Sequence, residues 1–130
     1  MRFNEEQRAL IGGAFGETIR EHKYTCYACS LMPDHVHLVI RKHRDDAETM
    51  IGNLQGASRT RLRNQGLVPE EHLVWTKNGW RVFLNSPAEV WSRIRYVEKN
   101  PVKEGLAAQR WAFVVEYDNW PFHKRGGKPR

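Results

Sequence analysis

Two histidines one residue apart, His35 and His37, stand in the run Pro33-Asp34-His35-Val36-His37-Leu38-Val39-Ile40-Arg41. In an extended chain, positions i and i+2 share a face, with Cα atoms about 6.5–7 Å apart. Two imidazoles so placed can converge on one divalent ion. The same pair also arises by chance on a half-exposed strand, so the spacing alone leaves both readings open. A second pattern is Glu89, Arg93, Tyr96 and Asn100. Their 4-3-4 spacing lines one polar face of a helix, opposite Val90, Ile94 and Val97. Tyr96 can be an amphipathic residue packing its ring at the surface edge. It can equally be a nucleophile, with Asn100 an oxygen-donating metal ligand one turn later.

Other chemistry-bearing residues fit blander roles as well. Cys26 and Cys29 spell C-x-x-C without a second such pair. On a regular strand they face opposite sides, which suits neither a zinc knuckle nor a redox pair, so both read as small core residues. Arg59 and Arg63 share a helix face, and Arg41 and Lys42 follow the histidine strand. A solvated basic surface is the commoner meaning of such residues. With Trp75 and Trp80 they would instead hold backbone phosphates and stack unpaired bases. No Ser-His-Asp order, phosphate-binding glycine loop or paired-carboxylate pattern is present.

The elements that must position these residues follow from periodicity and caps. Asn4 to about Glu21 reads as a helix, with Asn4 as cap, Gln7 at the capping-box position and Ile11, Ala14, Phe15, Thr18 and Ile19 as one stripe. Gly12, Gly13 and Gly16 weaken it or permit close packing. Tyr24–Leu31 and His35–Arg41 read as two strands joined by the Pro33-Asp34 turn, an antiparallel hairpin. In the second, Val36, Leu38 and Ile40 point one way, and His35, His37, Val39 and Arg41 the other. Asp45 to about Asn64 is a second helix. Asn78-Gly79 signals a hairpin between Val74-Trp75 and Trp80–Leu84. Ser86, Pro87 and Glu89 open a third helix that Pro101 stops near Asn100, and Ala112–Tyr117 reads as a last strand. This order predicts an α+β sandwich.

The chain has 130 residues and a formal net charge of +6, enough for one domain with one core. Lys124, Arg125, Lys128 and Arg130 belong to a basic tail, leaving 17 positive against 15 negative charges in residues 1–123. The tail reads as an electrostatic arm for a polyanion, and the charge says little about the site itself. No apolar run is long enough for a membrane span. Glu5 and Glu6 and the lack of an apolar stretch argue against a signal peptide. Two cysteines fit a reduced, cytoplasmic setting.

Met32-Pro33-Asp34-His35-Val36-His37-Leu38-Val39-Ile40 is followed about sixty residues later by Arg95-Tyr96-Val97-Glu98-Lys99-Asn100-Pro101-Val102-Lys103-Glu104-Gly105-Leu106. Together these motifs resemble the single-tyrosine HUH transposases, above all the branch associated with repeated extragenic palindromes. The resemblance covers about residues 4–120. It implies a catalytic domain over residues 1–123 with a ferredoxin-like α+β fold, an antiparallel sheet and helices on one face. It implies His35, His37 and Asn100 as ligands of Mg²⁺ or Mn²⁺ and Tyr96 as the nucleophile. The implied partner is single-stranded or hairpin DNA, cleaved and rejoined through a 5′-phosphotyrosine. Two features depart from the family. Only Met1-Arg2-Phe3 precede Asn4, where the family has a central first strand; that strand is then absent or supplied by another chain, as in a homodimer. Trp80–Asn85 lacks the family's aromatic stretch ending in Asp. The alternative that the departures motivate is a catalytically inactive, transposase-derived nucleic-acid-binding module. A metal-binding domain of unrelated function is a third reading.

Overall fold

The computed structural model describes residues 2–67, 80–84 and 89–118. The element order is α1 (Glu5–His22), β1 (Cys26–Leu31), β2 (Val36–Ile40), α2 (Ala47–Asn64), β3 (Trp80–Leu84) and α3 (Val90–Lys103). Asn4 caps α1 as its sequence predicts: its side chain accepts from the Gln7 amide, and the Gln7 side chain accepts from the Asn4 amide. Asp46 caps α2 through the Thr49 amide.

β1 and β2 form the expected antiparallel hairpin. A bulge between Cys26 and Ala28 shifts the register. It changes which residues of β1 share a face, because one extra residue reverses the alternation. Cys26 and Cys29 consequently lie in the same core cluster, where a regular strand would have separated them. Both are buried free thiols, as core residues should be.

β3 pairs with β2 in parallel, from Val36–Trp80 to Ile40–Leu84, with α2 as the crossover that a parallel pair requires. Among the described residues β2 is thus the central strand, with β1 on one side and β3 on the other. The Asn78-Gly79 turn and its Val74-Trp75 arm lie outside the described residues, as do Ser86, Pro87 and the basic tail.

The α+β class holds, but the helices divide between the two faces of the sheet, where one covered face was expected. On one side Ile11, Phe15 and Ile19 of α1 and Met50, Leu54 and Leu62 of α2 pack on Val36, Leu38 and Ile40. On the other, Val90, Ile94 and Val97 of α3 pack on Tyr27, Ala28 and Val39. Every residue of β2 is buried as a result, Val36, Leu38 and Ile40 on one face and His37 and Val39 on the other.

Two end signals also differ from expectation. Glu89 occupies the cap position of α3, makes no side-chain cap bond, and pairs with Arg93 instead. Pro101 does not stop α3, which runs on to Lys103. A proline so near the end removes a single donor, its own N–H, from the last turn. The stop comes at Gly105, at φ +85, where the Gly105 and Leu106 amides donate to the Val102 and Pro101 carbonyls.

Residues 106–118 run as a strap along the outer edge of β1, and the last strand expected over Ala112–Tyr117 is reduced to one bridge. Val114 bridges Cys26 in parallel, and the Val115 amide donates to the Cys26 carbonyl. At the other end the Gln109 side chain acts as a strand neighbour, accepting from the Leu31 amide and donating to its carbonyl, both at 2.8 Å. Trp111 lies directly on Gly12, so the glycines of α1 do permit close packing.

Candidate active site

β2 delivers the two histidines to the face covered by α3. His35 precedes the strand and is partly exposed; His37, one residue inside it, is 4 % exposed. Their rings meet edge to face with centroids 4.8 Å apart. Burial of Val90, Ile94 and Val97 fixes the roll of α3. That roll turns Tyr96 toward the histidines: its ring centroid is 5.6 Å from that of His37. Tyr96 remains 50 % exposed, so half of the residue faces solvent. Asn100 follows one turn later and is 7 % exposed. The structure therefore brings together His35, His37 and Tyr96, with Asn100 on the next turn of the same helix.

The polar atoms here bear on metal binding. Asp34 Oδ1 lies 2.6 Å from His35 Nδ1. That hydrogen bond, with a smaller contribution from Arg2, holds the Asp34 carboxyl below the usual range. A carboxylate accepts only, so Nδ1 carries the proton, and in the neutral ring Nε2 then keeps its lone pair for a cation. The Asn100 amide nitrogen is buried without a hydrogen-bond partner. So is the hydroxyl of Ser30, which stands directly across the ladder from His37. Buried polar groups left unpaired are costly, and of these two it is the Ser30 hydroxyl that the ladder sets opposite His37. Among the described residues, no group of three histidine, cysteine or carboxylate side chains stands ready for a metal. A centre here would have to combine two imidazoles with an amide oxygen, donor types that divalent ions accept.

Sequence reasoning missed Asp34 and Ser30. Asp34 carried a signal, since it abuts His35, but a turn accounts for it equally well. Ser30 had none, because the bulge that sets its facing is invisible in the composition of β1.

The basic and aromatic candidates are scattered. Arg41 donates to the Tyr27 hydroxyl at 2.8 Å and pairs with Asp118 at 2.5 Å. Burial, partly offset by Arg41, pushes the Tyr27 phenol up to about 12. Lys42 is exposed just beyond β2. Arg59 and Arg63 sit half-buried on α2, and the Arg59 Nε is buried without a hydrogen-bond partner. Trp80 packs against Phe15, centroids 5.5 Å apart, on the face opposite α3. Trp75, Lys124 and Arg125 lie outside the described residues. A cleft of about 610 Å³ lies at the far end of β1, lined by Gly13, Arg20, Thr25, Trp111 and Phe113, and excludes the histidines and Tyr96.

Burial raises the Cys26 thiol to about 12 and the Cys29 thiol well above its ordinary value. Neither is a nucleophile at neutral pH. No helix among the described residues is long and apolar enough to cross a membrane.

The family model described as "Transposase IS200 like" matches residues 2–100. No curated protein and no solved structure matches the chain.

Proposed function

The chain belongs to the IS200-like transposase family, and from that premise we propose that it cleaves and rejoins single-stranded, hairpin-bearing DNA through a covalent tyrosine intermediate. Tyr96 is the nucleophile. Its phenolic oxygen forms a bond to a backbone phosphorus as the bond from phosphorus to the 3′-oxygen breaks. The phenol's proton is lost and the leaving 3′-oxygen takes one up, so the step ends with a free 3′-hydroxyl and a 5′-phosphotyrosine. Attack by a 3′-hydroxyl on that phosphotyrosine runs the same exchange in reverse and restores the phenol. One phosphate ester replaces another throughout, so no oxidant or nucleotide is consumed.

His35, His37 and Asn100 would hold a divalent ion, whose contribution is to polarise the scissile phosphate and offset its charge. Two nitrogen donors suit Mn²⁺ better than Mg²⁺. The observation that carries this reading is the run of rings from His35 through His37 to Tyr96, at 4.8 and 5.6 Å between centroids. It supports the reading because the ring of the proposed nucleophile lies beside that of a proposed nitrogen donor. The exposure of Tyr96 supports a polymeric substrate, since a nucleic-acid strand lies across a surface more readily than it enters a closed pocket.

The test is cleavage of single-stranded hairpin oligonucleotides in Mn²⁺. The wild-type protein is expected to give strand scission, and Tyr96→Phe to bind the same DNA without cutting it. Cleavage by Tyr96→Phe at the wild-type rate would contradict the proposal.

A further inference from the structure

We infer that Asp34 is the positioning residue of His35, selecting which ring nitrogen that histidine offers to a cation. The inference rests on the metal site proposed above and extends it by one residue outside the ligand set. A neutral imidazole carries its single proton on either nitrogen, and the two forms present different donors. A histidine with no partner interconverts between them and rotates its ring. His35 has a partner: the Asp34 carboxylate oxygen, 2.6 Å from Nδ1. That oxygen cannot donate, so the proton stays on Nδ1 and Nε2 stays bare. A carboxylate behind a ligating imidazole also fixes the ring plane and makes the ligand more basic.

The acceptor is itself held in place, which separates it from a mobile surface carboxylate. The turn that carries Asp34 is closed by the Met32 amide donating to the His35 carbonyl at 2.8 Å. It is tied to the N-terminal segment by the Phe3 amide on the Pro33 carbonyl, with Phe3 buried in the core. Arg2 approaches the other carboxylate oxygen at 3.5 Å; both side chains are exposed, so that pair adds little energy and serves mainly to orient. His37 has a different constraint, being buried in the sheet between the rings of His35 and Tyr96. The more exposed histidine is thus the one that needs an orienting group, and it has one.

The test reads tautomer and metal affinity separately. Long-range ¹H–¹⁵N correlation spectra of the metal-free, ¹⁵N-histidine-labelled full chain report the tautomer, with the His35 signal assigned by its loss in His35→Asn. The wild type is expected in the Nδ1–H form, Asp34→Ala in a mixture richer in Nε2–H, and Asp34→Asn between the two, because its amide accepts from Nδ1–H or donates to a bare Nδ1. Mn²⁺ titration followed by electron paramagnetic resonance is expected to show a loss of roughly 10–100-fold for Asp34→Ala and a smaller loss for Asp34→Asn. A wild-type Nε2–H tautomer overturns the inference. So does an Asp34→Ala protein with wild-type Mn²⁺ affinity, provided His37→Gln has lost it. If His37→Gln also binds Mn²⁺ like the wild type, the metal site itself is refuted and the inference falls with it.

Discussion

Gly12 offers a sharp physical test of how the strap over β1 is held. A Cβ at this position would lie 2.2, 2.6 and 2.8 Å from the Trp111 ring atoms Cζ3, Cε3 and Cη2. Ordinary carbon–carbon contact is about 3.5–4.0 Å, so in Gly12→Ala the indole must move by more than about 1 Å. It is not free to do so cheaply. Trp111 packs on the main core cluster, stacks on Phe113, and donates from its indole nitrogen to Gln109. Gln109 in turn pairs with both backbone groups of Leu31. Overpacking of this kind costs about 1–3 kcal/mol, against about 1 kcal/mol gained by replacing a helical glycine with alanine. The expected net is a loss of about 0–2 kcal/mol, from the same overpacking and propensity terms. Gly52 and Gly56 on α2 have nothing within 4 Å of the added atom, so alanine there should stabilise by about 0.5–1 kcal/mol each. Urea unfolding at matched m-values reads all three. The gap between Gly12→Ala and Gly56→Ala should close when Trp111 is also changed to alanine, as a double-mutant cycle reports. A Gly12→Ala protein as stable as Gly56→Ala in the wild-type background would refute the seating of Trp111 on α1.

Asn4→Ala removes the capping box of α1 and should cost about 1 kcal/mol in the same urea assay. Stability should fall at alkaline pH. Native Cys26 holds its proton to about pH 12, while an unfolded thiol ionises near 9.0. Above 9.0 the unfolded chain therefore binds fewer protons, and stability, complete below that pH, declines toward 12. The slope is at most about 1.4 kcal/mol per pH unit for this thiol. Tyr27 adds to the same decline between 10.0 and about 12. Cys26→Ala should flatten the loss measured by urea midpoints at pH 8 and 10.5, and an unchanged slope would refute the attribution. Tyr96→Phe should leave the midpoint unmoved, because the ring is half exposed and keeps its packing.

The parts of the fold legible in the sequence were those written in local rules. The Asn4–Gln7 box, the Asp46 cap one residue from the expected start, the alternation of β2 and the stripe Val90, Ile94 and Val97 all came through, because caps and periodicity are properties of neighbouring residues. The features that did not come through depend on distant partners. The bulge at Cys26/Ala28 is fixed by the register against β2. The parallel placement of β3 is fixed by which face α2 covers. The strap over β1 is fixed by contacts far apart in the chain: Gln109 on Leu31, Val114 and Val115 at Cys26, and Trp111 on Gly12. Pro101 misled because proline marks a stop only where its missing N–H and ring would disrupt a continuing helix, whereas Gly105 supplied the actual stop. At the candidate site, the pairing of His35 with His37 and of Tyr96 with Asn100 was visible as spacing. That His35, His37 and Tyr96 come together was not, since it requires the packing of α3 on β2.

The central claim is that Tyr96 becomes covalently joined to DNA. It is tested most directly by incubating the full chain and Mn²⁺ with single-stranded hairpin oligonucleotides of randomised flanks, labelled at one end or the other, and separating the products under denaturing conditions. The account predicts that the 3′-end label travels with the protein and the 5′-end label does not, and that peptide mass spectrometry places the phosphate on Tyr96. Salt-dependent binding of the same oligonucleotides with no label retained on the protein, or an adduct that persists in Tyr96→Phe, would contradict it.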